Sequence, residues 1–271
     1  MNPQDSGRAP SFGTSFRNVF SFFFFLGRRT GRTRVFYLLG LIPVAIAVFV
    51  RIILAGRGDA VGGVFNEILM VFFVTFDIVI MTLFYGTSIV AEEVDGRTLP
   101  YLASRPLPKP AIFLGKYAAC ACLMILIVAT SLLLSFFILN GQRLGEADLY
   151  LTFLRDLGVL VLGILAYTAF FAFLGSFLKR AIIIGLIFGF GCEYIIQYFP
   201  GSTQKFSLVH YMKSLLPRQP TGSGGGRLAI LLFKLEPTKP AVAVLALLVI
   251  TAVFLALGCW LFRAKEYLFE E

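Results

Sequence analysis

The sequence predicts an all-α integral membrane protein with six transmembrane helices. Three observations lead there. Of its 271 residues, 58% are hydrophobic and 14% charged, and the mean hydropathy is +0.85; a soluble domain carries roughly a quarter charged residues. Six apolar runs reach or approach the ~20 residues that a helix needs to cross the hydrocarbon core. These runs do not alternate apolar with polar positions, as the strands of a membrane barrel do. Helices and closed barrels are the structures that satisfy their own backbone in lipid, so helices remain.

Residues 1–13 read as disordered. Ser15–Leu26 (SFRNVFSFFFFL) is aromatic and nearly uncharged before the basic GRRTGRTR, the composition of an interfacial helix in the headgroup plane. The competing expectation is an apolar lead-in to the first span. The spans are expected at Val35–Ala55, Glu67–Val90, Tyr117–Leu139, Leu157–Phe177, Ala181–Phe199 and Ala241–Phe262. Residues 1–34 and 263–271 flank one six-span domain, 35–262, in which no internal repeat stands out. The long segment 200–240 holds two short apolar pieces, Phe206–Leu216 and Leu228–Leu235, around PRQPTGSGGGR. Each piece is too short to span and is expected to dip into the outer membrane face or lie on it, with the glycines as a hinge. The glycine run is no phosphate loop, since Arg227-Leu228 follows where a Walker motif needs Gly-Lys-Ser/Thr.

Basic residues set the orientation. With a cytoplasmic N-terminus, segments 1–34, 91–116, 178–180 and 263–271 lie inside and hold fourteen of the 24 Lys and Arg. Short outer segments hold Arg51, Arg57, Arg143 and Arg155, and 200–240 adds six more without reversing the bias. Both termini are then cytoplasmic, and no secretory signal is legible near the start. The net charge of +9 flanks the membrane, where it meets anionic headgroups; no recognition motif points to nucleic acid. Cys120, Cys122, Cys192 and Cys259 all fall within expected spans as small hydrophobes, with neither metal spacing nor a disulfide framework.

No catalytic or metal-binding signature is present, and the single histidine, His210, falls in the outer segment. Two acids lie inside spans, where charge is costly and usually faces a protein interior or a water path. At about 100° per residue, Asp77, Met81, Tyr85, Ser88 and Glu92 share one face of the second helix. Gly185, Gly189, Glu193 and Gln197 form an i+4 ladder on the fifth, its Gly-x-x-x-Gly part favouring close helix approach. Both acids fall about 3–5 Å to the outer side of mid-span. Each either lines a shared translocation path, with Tyr85, Ser88 and Gln197, or hydrogen-bonds within the bundle.

Between the second and third spans lies a polar island, EEVDGRTLPYLASRPLPKPAIFLGK, from Glu92 to Lys116. Gly96 allows a turn, Thr98 can cap a short helix Leu99–Ser104, and Pro100 fits its first turn. Pro106 then stops it. Pro110 can open the third span, with Lys109 and Lys116 at the inner headgroups. Glu92 and Glu93 can pair with Arg97, with Arg105 or with the N-terminal arginines. A short, rigid, partly apolar helix on the cytoplasmic side suits docking by a partner.

The stretch A-E-E-V-D-G-R-T-L-P-Y-L-A-S-R-P-L-P-K-P-A-I-F-L-G-K-Y at 91–117 resembles the signature after the second span of bacterial ABC-type-2 transporter permeases. The likeness is dense over those residues and architectural elsewhere. It implies a subunit of an ATP-driven exporter in the cell inner membrane, pairing with a second permease copy as a homodimer or heterodimer. It implies docking on two copies of a separate ABC ATPase through a coupling helix, Thr98–Ser104, with Arg97, Arg105 and Pro106 at its edges. Glu92 and Glu93 would join the second span to the N-terminal helix in a polar network. ATP and Mg would sit on the ATPase, and this chain would bind no cofactor or metal and perform no covalent chemistry. Within the same resemblance, a permease devoted to maturation of a copper enzyme's metal centre is the alternative. An intramembrane enzyme using Asp77 and Glu193, or a membrane scaffold, are alternatives from other classes. The sequence leaves the substrate open.

Overall fold

In a computed structural model of the chain, the described residues are 11–53, 69–95, 108–141, 145–178, 180–198, 202–216 and 238–264. Every regular element among them is helical. The first helix, α1, covers Phe12–Arg29; the Ser11 hydroxyl caps its start by accepting from the Thr14 N–H at 3.4 Å. Arg28 and Arg29 fill its last turn, where the helix dipole favours cations. Helices α2 (Gly31–Gly40) and α3 (Ile42–Ile53) together form the first span. They part at Leu41 because Pro43 has no N–H to donate backwards. From the third span, the Ser131 hydroxyl donates to the Gly40 carbonyl beside the break.

The second span opens as a π-helical segment, Leu69–Asp77, and continues as α4, Ile78–Asp95, into the polar island. The third is α5, Lys109–Asn140, and the fourth α6, Ala147–Phe177. Both begin well ahead of the apolar runs expected for them, because the flanking residues simply continue the helix. Pro110 falls in the first turn of α5, as the sequence requires. The fifth apolar run is helical through the described residues 181–198 but mixed in type: α7 (Ala181–Leu186), a second π-helical segment (Ile187–Cys192) and α8 (Glu193–Tyr198). A 3-10 turn, Ser202–Phe206, and α9, Leu208–Leu215, lead on to α10, Pro240–Ala264, the last span. Among the described residues, five helices are long and apolar enough to cross a membrane, and Ala181–Cys192 is a shorter apolar helix. The piece expected at Leu228–Leu235 and the glycine hinge lie outside the described residues.

In lipid the helices gain little from hiding apolar surface from one another, so close van der Waals packing must hold the bundle. Glycines supply it. A Cβ on Gly86 would stand 2.7 Å from the Phe171 Cβ, and one on Gly175 would stand 2.6 Å from the Thr87 carbonyl oxygen. Helices α4 and α6 therefore touch backbone to backbone. Gly185 receives Leu83, and a Cβ on Gly189 would be 2.7 Å from Val79. The Gly-x-x-x-Gly ladder thus seats the fifth span on α4 within the same chain. Gly258 of α10 is flat against the Phe113 ring, 2.6 Å from a would-be Cβ. Helices α2, α3 and α10 sit at the rim and turn Leu38, Phe49, Ile52, Leu245, Val249 and Trp260 outward, side chains suited to lipid tails.

Candidate functional site

Among the described residues, two clusters of buried polar groups stand out. One lies at the end of the bundle where α4 stops and α5 starts, flanking the polar island. The other lies toward the opposite end, where α5 ends and α6 begins.

At the island end, α1 runs beside α5 in matched register, Val19 against Gly115 and Gly27 against Leu123. Eight residues separate each pair, so the two helices climb together in the same direction. The absence of a side chain at Gly115 permits the contact, since its Cβ would be 2.8 Å from Val19. Lys116 is only 4% exposed. Its ammonium donates to the Ile89 carbonyl of α4 at 3.1 Å and stands 4.4 Å from the centre of the Phe23 ring of α1. The sequence places this lysine among the headgroups; the structure turns it inward, because α1 covers it and α4 offers an acceptor. The Leu-Gly-Lys entry to the third span is therefore where α1, α4 and α5 meet.

The same cluster takes in the second-span residues expected on a path. The Tyr85 hydroxyl is 2.7 Å from the Thr33 hydroxyl of α2, and the Arg32 guanidinium lies 5.0 Å from its ring centre. Thr33 also donates to the Gly27 carbonyl at the end of α1, at 2.5 Å. The Ser88 hydroxyl donates to the Tyr85 carbonyl at 2.9 Å. Glu92 and Glu93 belong by backbone to α4, and their side chains lie outside the described residues. So do Arg97, Thr98, Leu99, Pro100, Tyr101, Leu102, Ser104, Arg105 and Pro106.

The second cluster is built on the two π-helical segments, which end at Asp77 and immediately before Glu193. Such segments are rare and often mark functional sites. They face each other: the Phe76 and Phe190 rings are 6.1 Å apart. The contacts of Leu83 with Gly185 and of Val79 with Gly189 run antiparallel along the fifth span and α4. The sequence expected the two acids at equal depth on a shared path. Their bonding differs. Asp77 is fully buried, and neither of its oxygens has a hydrogen-bond partner among the described residues. Glu193 is engaged twice: the Tyr167 hydroxyl of α6 donates to Oε2, and the Leu208 N–H donates to Oε1 at 3.0 Å. Lys213 adds its positive charge. Gln197 lies in α8, with its side chain outside the described residues.

Three participants escaped the sequence reading. Tyr167 sits in an unbroken apolar run, where an aromatic residue carries no polar signal. Asp156 is fully buried in α6 with both oxygens lacking a hydrogen-bond partner among the described residues; beside the exposed Arg155 it reads as half of a solvated pair. His210 is buried rather than in an open loop, its Nε2 standing 2.9 Å from the Thr238 hydroxyl.

An all-helical bundle of long apolar spans, split by a polar island between the second and third, is now joined by a family match. The family described as ABC-2 family transporter protein matches residues 14–267. The chain belongs to the ABC-2 transporter family. No curated protein matches it. As an ABC-2 permease it is a multi-pass membrane protein, the membrane permease subunit of an ABC transporter, and its family associates with an ABC ATPase.

Proposed function

We propose that this ABC-2 permease is one half of an ATP-driven exporter in the cell inner membrane. Two copies stand side by side with all termini cytoplasmic, each docked on its own ATPase subunit through Thr98–Ser104. ATP and Mg stay on the ATPase, and this chain supplies the path and the mechanical link. The family match over 14–267 carries the proposal. The geometry supports the link: the island leaves the end of α4 at Asp95 and enters α5 at Lys109, and Lys116 ties both helices to α1 a few turns away. A push on the island would move three helices as one.

Asp77 is the residue we assign to the path. A buried polar group without a partner is costly, and within a membrane bundle such an acid usually marks a route for cargo, ions or water. Tyr85 and Ser88 serve the tie to α1 and α2 in this reading. Asp77→Asn is expected to impair ATP-dependent export while leaving the ATPase bound. Full export by Asp77→Asn would remove the residue from the path. Co-purification of a tagged chain with an ABC ATPase tests the whole proposal.

A further inference from the structure

The first span is broken close to where Asp77 faces it. Helix α2 ends at Gly40 and α3 starts at Ile42, and the Gly40 carbonyl accepts from the Ser131 hydroxyl of α5. A Cβ on Gly40 would stand 2.9 Å from the Ile127 Cγ2 and 3.4 Å from the Met81 Cε. The break, α4 and α5 therefore meet at one level. Asp77, Met81 and Tyr85 follow one another at i+4 on one face of the second span. The Tyr85 hydroxyl is 2.7 Å from that of Thr33, and its ring centre is 5.0 Å from that of Phe36. That face is thus turned to the first span, while Val79 and Leu83 meet Gly189 and Gly185 on the other side of α4.

Asp77 lies one turn beyond Met81, away from the island, and so does Ser131 beyond Ile127. Ser135 follows one turn beyond Ser131. Side chains lean toward the start of their own helix. The second span starts at the far end, so Asp77 leans away from the island; α5 starts at the island, so Ser135 leans back toward it. Both residues are fully buried, and neither the Asp77 oxygens nor the Ser135 hydroxyl has a hydrogen-bond partner among the described residues. Arg51 donates to the Leu139 carbonyl at 3.4 Å and holds α3 along α5. Between that contact and the break, the fully buried Ala47 brings only a methyl group. A carboxylate, a hydroxyl and a carbonyl with a second lone pair thus border one gap. The C-terminal end of α2 adds partial negative charge there, which opposes a bare carboxylate and favours a cation. Broken membrane helices coordinate ions with such ends. One carboxylate balances one positive charge, whereas a divalent ion would leave net charge inside the bundle, which is costly.

We propose that this gap binds a monovalent metal cation, held by Asp77, Ser135 and the Gly40 carbonyl, with Ser131 orienting that carbonyl. The inference rests on the reading of Asp77 as a path residue and names what the residue holds there. Its oxygens come from the first, second and third spans, so the bound ion ties the broken span to α4 and α5.

The test is equilibrium binding of radioactive sodium, and of rubidium in its place, to the purified chain in nanodiscs in choline chloride at pH 8. The parent should bind one of these ions saturably. Asp77→Asn should weaken that binding at least tenfold, and Ser135→Ala by about three- to tenfold, the loss of one oxygen partner. Thr130→Val, on the exposed side of α5, should bind as the parent does. A parent that binds neither ion saturably overturns the site, as does parent-like affinity in Asp77→Asn or equal weakening in Thr130→Val. If Asp77→Asn does not fold, Ser135→Ala decides: weakened binding upholds the site, and parent affinity overturns it. Export by the complex with the ATPase separates the two readings. Asp77→Asn that loses the ion yet exports fully removes Asp77 from the path and upholds the site. Poor export by Asp77→Asn, where the parent binds neither ion, keeps the path and overturns the site.

Discussion

Gly175 and Gly158 lie on the same helix, and their surroundings assign them opposite tolerances. A side chain at Gly175 must displace the Thr87 backbone, whereas nothing stands within 4 Å of a Cβ at Gly158. Gly175→Leu should destabilise the bundle by about 1–3 kcal/mol, the usual cost of overpacking, and Gly158→Ala should be neutral or mildly stabilising. Thermal unfolding in detergent distinguishes them. Lys213 gives a pH signature. Burial pulls its ammonium from 10.5 down to about 8, against the opposing pull of Glu193. Between those values the folded chain has shed the proton that the unfolded chain keeps, so stability from this group rises with pH across that window. Unfolding at pH 7.5 and 9 should show a rise in the parent that Lys213→Met flattens. Asp77 and Glu193 were legible in the sequence because a charge inside an apolar run is conspicuous. Tyr167 and Lys116 were not: a phenol in an apolar run and a lysine near a helix start look ordinary until their neighbours are known.

Helix α1 draws its place from α5. Its aromatic run read as an interfacial segment, and composition could not say which helix it would lie against; the register of Val19 on Gly115 and Gly27 on Leu123 does. Lys116→Met keeps the stem but leaves the Ile89 carbonyl without this donor, a loss of about 1–3 kcal/mol for a buried group. Hydrogen exchange should quicken along α1 by roughly tenfold per 1.4 kcal/mol lost there, with α6 unchanged. Equal protection of α1 in parent and variant would deny Lys116 its role in the tie. The spans themselves were legible to within a few residues at their apolar cores, because hydrocarbon thickness demands a length that sequence displays. Their ends were not, since α5 and α6 extend past the apolar runs as ordinary helix. The two π-helical segments left no trace either: their residues read as ordinary apolar helix, and nothing in the local composition sets the wider turn apart.

Across the whole molecule, the two polar clusters sit at opposite ends of α4. One end holds the tie among α1, α4 and α5 beside the island, and the other holds Asp77. A helix packed backbone to backbone on α6 at Gly86 and Thr87 is a stiff connection between them. The fold class and family were readable from the sequence, the first from apolar length and the second from the dense signature at 91–117. The contacts of Glu193 were not, because its two donors, Tyr167 and Leu208, lie 26 and 15 positions away along the chain. The account stands on the island being the place where an ATPase drives the permease. The most direct measurement is co-purification from membranes with and without substitution of Thr98–Ser104 by a Gly-Ser segment of equal length. The parent is expected to bring down an ABC ATPase, and the substituted chain, still folded as a bundle, to lose it or to retain it without coupled activity. A parent that retains no ATPase, or a substituted chain with full ATPase binding and full activity, would contradict the account.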